Sequence, residues 1–205
     1  MKTKEQFWDS YARKYDRFID RYAGSTYKEI MGSILNETCS EDNVLEIGTG
    51  TGIIACEVAS RVKSIVATDI SIEMINHANA KLANSYIDNL QFHIGSAYSI
   101  SYPDKYFDIA IASNVFHLLS DPEKAIKEIS RVLNGNGKLI IPTYCHGEHL
   151  ISRFISLLMS ISGFTVENRW SIIEYREFIE SMNLKILLER TIWDKIPISI
   201  IVAVK

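Results

Sequence analysis

An α/β fold, with a mostly parallel and doubly wound sheet of seven strands sandwiched between helices, is predicted by three observations. Apolar runs of strand length alternate with helical stretches along the chain, which is the order of a parallel sheet covered on both faces. The first conspicuous run, Val44 to Ile47, breaks into Gly48-Thr49-Gly50-Thr51-Gly52, where glycine supplies positive φ and lets backbone N–H groups approach a ligand. Near the end, Ile186 to Trp193 and Ile196 to Val204 are separated by Asp194 and Lys195 alone, too short for a parallel crossover. Those two runs must form an antiparallel hairpin.

Taken in order, the pattern predicts helices over 4–21, 26–38, 52–61, 71–84, 121–133, 148–162 and 173–182. Strands are expected over 43–47, 64–69, 89–94, 106–112, 137–143, 184–192 and 196–205. Phe7, Tyr11, Tyr15, Phe18 and Tyr22 recur at helical spacing and give the leader an aromatic stripe. Ile54, Cys56, Val58 and Ala59 carry a helix out of the glycine turn. Ile65-Val66-Ala67-Thr68-Asp69 reads as a strand ending in an acid, and Pro103 to Asp108 leads into a further strand, Ile109 to Ala112. Leu150, Ile151, Phe154, Ile155, Leu157, Leu158, Met159 and Ile161 make the 148–162 helix apolar around much of its circumference, with Arg153 its only charge. It is shorter than the ~20 residues of a membrane span. It could roof a pocket, lie on a membrane, meet a second subunit or simply pack in the core. Pro197 falls at the start of the last strand, where a missing N–H is tolerated.

With 205 residues, 47% of them hydrophobic, and no Pro/Gly/Ser-rich linker, the chain is expected to be one domain over 1–205. Its helical leader is 1–40 and an insertion after the fifth strand covers about 144–170. A net charge of −3 with scattered lysines argues against an extended nucleic-acid footprint. Cys39, Cys56 and Cys145 have no metal-ligand spacing and read as reduced thiols, and no metal is expected. The first residues contain no apolar signal core, so a cytoplasmic, monomeric or homodimeric protein is expected, with peripheral membrane contact through the insertion left open.

Two cofactor chemistries use a strand, glycine loop and helix. A dinucleotide fingerprint starting at Gly48 needs its third glycine at position 53, which is Ile53. Asp69 lies roughly twenty residues on, where doubly wound folds put a carboxylate against ribose hydroxyls. The stretch Glu46-Ile47-Gly48-Thr49-Gly50-Thr51-Gly52 instead resembles the first motif of class I S-adenosylmethionine-dependent methyltransferases. Gly95-Ser96-Ala97, Ala112 to His117, and Arg131 to Gly137 follow in that family's order, and resemble its ubiquinone-biosynthesis-like (type 11) branch over about Leu45 to Ile141.

The resemblance implies a Rossmann-like fold and S-adenosylmethionine as cofactor. Its implied contacts are Tyr11 and Tyr15 from the leader, Glu46, Gly48, Thr49 and Gly50 from the loop, and Asp69, Ile70, Met74, Ser96, Ala97 and Asn114 around the nucleoside and methionine portions. Glu46 would meet the cofactor's ammonium, Asp69 the ribose, and Ile70 the adenine face. Ser96 departs from the pattern, because the family often has an aspartate there to accept from the adenine amine. An uncharged acceptor makes a bond roughly half as strong.

A direct, in-line methyl transfer to a small, amphipathic or lipid-like acceptor is the expected function. If the acceptor must lose a proton, His117 is the first candidate base and His146 the second, with His149 nearby, while Tyr144 would face the acceptor. For His117 the plainer reading is a packing or capping histidine. Two competing functions are a binding module that keeps S-adenosylmethionine without turnover and an NAD-dependent oxidoreductase. The glycine spacing and the antiparallel ending count against the second.

Overall fold

The strand β1 (Asn43–Ile47) runs through the middle of a seven-stranded sheet in the order β3-β2-β1-β4-β5-β7-β6. On one side lie β2 (Ser64–Asp69) and β3 (Leu90–Ile94); on the other lie β4 (Phe107–Ile111) and β5 (Leu133–Tyr144), all parallel to it. β7 (Ile198–Val204) slots antiparallel between β5 and β6 (Lys185–Ile192). The terminal hairpin is therefore present, but its connection is longer than the sequence suggests. It takes residues 193–197, so Pro197 precedes the strand and no ladder hydrogen bond is asked of it. This computed structural model describes residues 3–161 and 164–205, apart from the side chains of Tyr22, Met159, Ser160 and Ile161. Those members of the expected apolar stripes, and residue 162 of the expected cap helix, lie outside the described residues.

Helices cover both faces. On one side α2 (Gly24–Asn36), α3 (Ile53–Val58) and α4 (Ile72–Leu82) bury Ile30, Ile34, Ile54, Val58 and Ile75 against Val44, Ile65 and Ile109. On the other, α5 (Pro122–Val132) and α7 (Ile172–Ser181) bury Ile126, Ile129, Tyr175 and Ile179 against Leu45, Leu139 and Ile201. Alternate side chains of one strand thus feed opposite cores, as the two-residue period of a strand requires.

Local chemistry explains where the helices begin. Thr3 caps α1 (Lys4–Tyr22) in a reciprocal box with Gln6, and Ser171 caps α7 in the same way with Glu174. Ser71 caps α4, and Asp121 caps α5 just ahead of Pro122. Each such cap stabilises its helix by about 1 kcal/mol. β5 starts earlier than expected, directly from α5. Leu133 pairs with Phe107 and Lys138 with Ile109, so residues 134–137, of which 134–136 were expected to precede the strand, form a bulge inside it.

The helix of the insertion, α6 (Leu150–Ile161), is turned inside out. Ser152 and Ser156 are fully buried, while Leu150 and Phe154 keep 83% and 61% of their surface exposed. The Ser152 hydroxyl holds the inner face by donating to the His146 and His149 carbonyls. No helix of the described residues is long and apolar enough to cross a membrane.

Candidate active site

Strand order reverses between β1 and β4, and a doubly wound sheet opens a crevice at the carboxyl ends of its strands at such a point. A cavity of about 320 Å³ lies there. Its floor is Ile47, Gly48, Gly50, Asp69, Ile70 and Met74; Gly95 to Tyr98 close one side, and Ser113 to Val115 with Leu118 to Ser120 the other. Lys4, Glu5, Trp8 and Tyr15 of α1 cover it.

Gly48 and Gly52 are required by contact as well as by conformation, Gly50 by conformation. Gly48, Gly50 and Gly52 have φ of +68°, +57° and +79°. A Cβ on Gly48 would lie 2.3 Å from Val115 Cγ2, so the exits of β1 and β4 touch and only a bare backbone fits between them. A Cβ on Gly50 would meet Tyr15, 3.5 Å away, which brings α1 down onto the loop.

Two buried carboxylates brace this loop. Asp69 Oδ2 accepts from the Gly50 N–H (2.8 Å) and Oδ1 from the Ser71 N–H (2.9 Å). Burial pushes the Asp69 carboxyl above its ordinary range, and those N–H donors oppose the push. A carboxylate has about four lone-pair sites, so capacity remains for ligand hydroxyls. Glu46 is buried beneath the loop, where its Oε2 accepts from Thr49 Oγ1 (2.7 Å). Desolvation, despite that bond, raises its carboxyl to about 8.

The leader is fastened over the cavity by polar contacts. Lys4 Nζ donates to the Leu118 carbonyl (2.7 Å) and pairs with Glu167 (2.9 Å). Asp9 accepts from Ser71 Oγ and the Glu73 N–H at the start of α4. Asp16 pairs with Lys81 and accepts from Thr51. Tyr15 Oη meets Tyr27 Oη at 2.8 Å.

Of the residues expected from sequence, Tyr15, Gly48, Gly50, Asp69, Ile70, Met74, Ser96, Ala97 and Asn114 line the cavity together. Tyr11, Glu46 and Thr49 do not. Tyr11 packs outside it among Phe7, Trp8, Tyr15 and Phe18, and Glu46 and Thr49 support the loop from below. Trp8, Lys4, Tyr98 and Val115 line the cavity without having been singled out. Trp8 carries a signal, since it adjoins Phe7 in the aromatic leader; the others have none, because only the fold brings them here. Among the described residues none from α6 lines this cavity, and α1 covers it.

His117, His146 and Tyr144 are brought to one another but stand behind the Asn114 to Leu118 wall rather than in the cavity. The His117 ring centroid is 5.2 Å from that of His146 and 5.7 Å from that of Tyr144. Burial holds His117 well below the usual imidazole range, helped by His146. Burial and then Arg169 take His146 down to about 4. Both imidazoles are therefore uncharged at neutral pH.

The donor set fits a nucleoside bearing an amino-acid tail. Asp69 offers acceptor capacity where ribose hydroxyls would lie. Ser113 and Asn114 line the cavity, and Ser113 Oγ and both Asn114 amide atoms are buried without a hydrogen-bond partner. Asn114 is held in the left-handed region (φ 56°), its N–H tied to the Pro142 carbonyl.

Residues 45–141 match the family model described as a methyltransferase domain. That match takes in a little under half of the chain. The uncharacterized methyltransferase YcgJ of Bacillus subtilis is 31% identical over 123 residues, covering 60% of this chain and 49% of YcgJ. The ubiquinone/menaquinone biosynthesis C-methyltransferase UbiE of Francisella tularensis subsp. novicida is 31% identical over 104 residues, covering 49% of this chain and 42% of UbiE. The matches thus span about half the length of these relatives or less. A crystal structure of a SAM-dependent methyltransferase from Aquifex aeolicus superposes with a TM-score of 0.72 at 19% identity, over 96% of this chain and 98% of that one. That likeness carries the fold. The methyltransferase domain match takes in the sheet from β1 to β5 and the glycine loop; α1, the insertion and the hairpin lie outside it.

Proposed function

We infer that this protein, as a single domain over 1–205, transfers a methyl group from S-adenosylmethionine to a small or amphipathic acceptor by in-line displacement. The observation that carries the reading is Asp69, its carboxylate tied to the Gly50 N–H at 2.8 Å on the floor of the switch-point cavity. S-adenosylmethionine supplies an activated methyl group on a sulfonium, which leaves the protein mainly the work of orientation and desolvation. Effects of that kind reach roughly 7–11 kcal/mol in well-oriented systems.

Asp69 receives the ribose hydroxyls, Ile70 and Met74 lie along the adenine, and Ser96 with Ala97 bounds its edge. Ser113 and Asn114 orient the methionine portion. Trp8 and Tyr15 exclude water above it, and their faces attract a cation. Glu46 and Thr49 act through the loop rather than by contact. His117, then His146, takes a proton from an acceptor that must lose one, and Tyr144 faces that acceptor. The aromatic surroundings of Phe7, Trp8 and Phe164 support an acceptor with an apolar body.

Calorimetric titration of the purified protein with S-adenosylmethionine, S-adenosylhomocysteine and NAD tests this directly. Micromolar affinity for the first two without NAD binding is expected. NAD binding alone would overturn the reading, and tight cofactor binding without turnover over a broad acceptor panel would leave a binding module.

A further inference from the structure

We propose that the methyl acceptor is an uncharged, hydroxyl-bearing molecule whose hydroxyl reaches the ring nitrogens of His117 and His146 beside Tyr144 once the Phe164 ring moves aside. The proposal rests on the methyltransferase reading and adds the class of acceptor and the residue that controls its entry.

The two imidazoles are 2% and 1% exposed, yet His117 Nδ1 and both ring nitrogens of His146 lack a hydrogen-bond partner. Leaving such buried groups unsatisfied is costly, so a ligand hydroxyl placed at them would recover hydrogen bonds that the protein leaves unmade. A neutral imidazole presents one donor and one acceptor, and a tyrosine hydroxyl can do both. That set matches a group which itself donates and accepts, as a hydroxyl does. A carboxylate or an ammonium would be buried with no opposite charge in contact, which is strongly unfavourable. Arg169, whose charge acts on His146, is itself exposed, so solvent answers that charge, and its Nε–H donates to Ser156 Oγ.

Position connects this compartment to the cofactor cavity. Val115 and Leu118 line that cavity, and His117 sits between them on the same turn, with its ring on the far side towards His146. Phe164 stands at the boundary. Its ring centroid lies 6.3 Å from His117, 5.8 Å from Trp8 and 6.0 Å from Phe7. With Phe7, Trp8 and Leu118 it lines a second cavity of only about 30 Å³, the size of a water molecule. The backbone that carries it is pinned, because the Glu167 and Asn168 N–H groups both donate to the His117 carbonyl (3.0 and 3.1 Å). Asn168 Nδ2 also donates to the Phe116 and Leu119 carbonyls. Rotation of one ring, with those ties kept, would join the small cavity to the imidazoles.

The test uses the full chain labelled with ¹⁵N-histidine and three probes of similar size: phenol, benzoate and benzylamine, each titrated with and without S-adenosylhomocysteine. Phenol should shift the His117 and His146 ring signals, assigned by His117→Phe and His146→Phe, and bind at least fivefold more weakly to His146→Phe. Phe164→Ala, which leaves the imidazoles in place, should bind phenol at least threefold more tightly. Benzoate or benzylamine binding there more tightly than phenol would overturn the proposal, as would phenol shifts confined to other histidines, or no shift in either the parent or Phe164→Ala. If S-adenosylhomocysteine itself fails to bind, the methyltransferase reading fails separately, and the phenol shifts still decide the histidine site.

Discussion

Beneath the cofactor cavity, Thr49 donates to Glu46 and Asp69 accepts from Gly50 and Ser71, so both carboxyl groups are answered by neighbours a few residues away or on the adjacent strand. Across the Asn114 to Leu118 wall, His117 and His146 are just as buried but leave three ring nitrogens unanswered, and the helix beyond them turns its leucines outward. The carboxyl groups of the first region are answered before any ligand arrives, although Ser113 Oγ and the Asn114 amide at the same cavity are not. In the second, the proposed acceptor would supply the partners that the imidazoles lack. The methyltransferase domain match covers the glycine loop and the sheet under the cradle and stops short of the insertion.

The sharpest way to break the cradle is Gly48→Ala. Positive φ and a Cβ 2.3 Å from Val115 should together cost about 3 kcal/mol in urea unfolding, with cofactor binding lost. A variant of parental stability would mean that the loop and Val115 are not in contact.

A pH titration separates the two regions next. Glu46 holds its proton to about 8 in the folded state against an ordinary value near 4.5. Between those values the folded form carries the extra proton, so stability from this group is full below about pH 4.5 and is lost as pH rises through 8. Without ligand, the protein should lose about 2 kcal/mol between pH 5 and 7, at a slope below the limiting ~1.4 kcal/mol per unit. Glu46→Gln should flatten that slope, and an unchanged slope would show that Glu46 is solvated or already ionised.

Asp69→Ala should weaken S-adenosylmethionine binding by at least about 1.5 kcal/mol, the scale of a hydrogen bond to a charged group. Equal affinity by calorimetry would remove Asp69 from the ribose. The smallest effect belongs to the other region: Phe154→Glu on the outer face of α6 should change stability by less than about 0.5 kcal/mol. A loss of 2 kcal/mol or more would mean that this face is covered in solution.

Legibility follows the same division. The glycine loop, the acid ending β2 and the hairpin could be read because each is a local signal whose spacing has one physical solution. Helix α6 was legible as a helix, but not in its orientation. Its apolar residues cover most of its circumference, so periodicity could not say that Ser152 and Ser156 would face inward. Tyr11 and Tyr15 share one helical stripe, and only the tilt of α1 across the loop sends Tyr15 into the cavity and leaves Tyr11 outside.

The sequence by itself determined the order of strands and helices, the glycine turn, the terminal hairpin and the carboxylates that brace the cradle, since alternation, φ preference and connection length act over a few residues. The tertiary structure alone decided which face of α1 meets the cavity and that His117 and His146 meet. It also decided that Phe164 stands between them and the aromatic leader. Those contacts join segments far apart in the chain, and their geometry is set by how the insertion is pinned to the Phe116 to Leu119 turn, which no local pattern encodes.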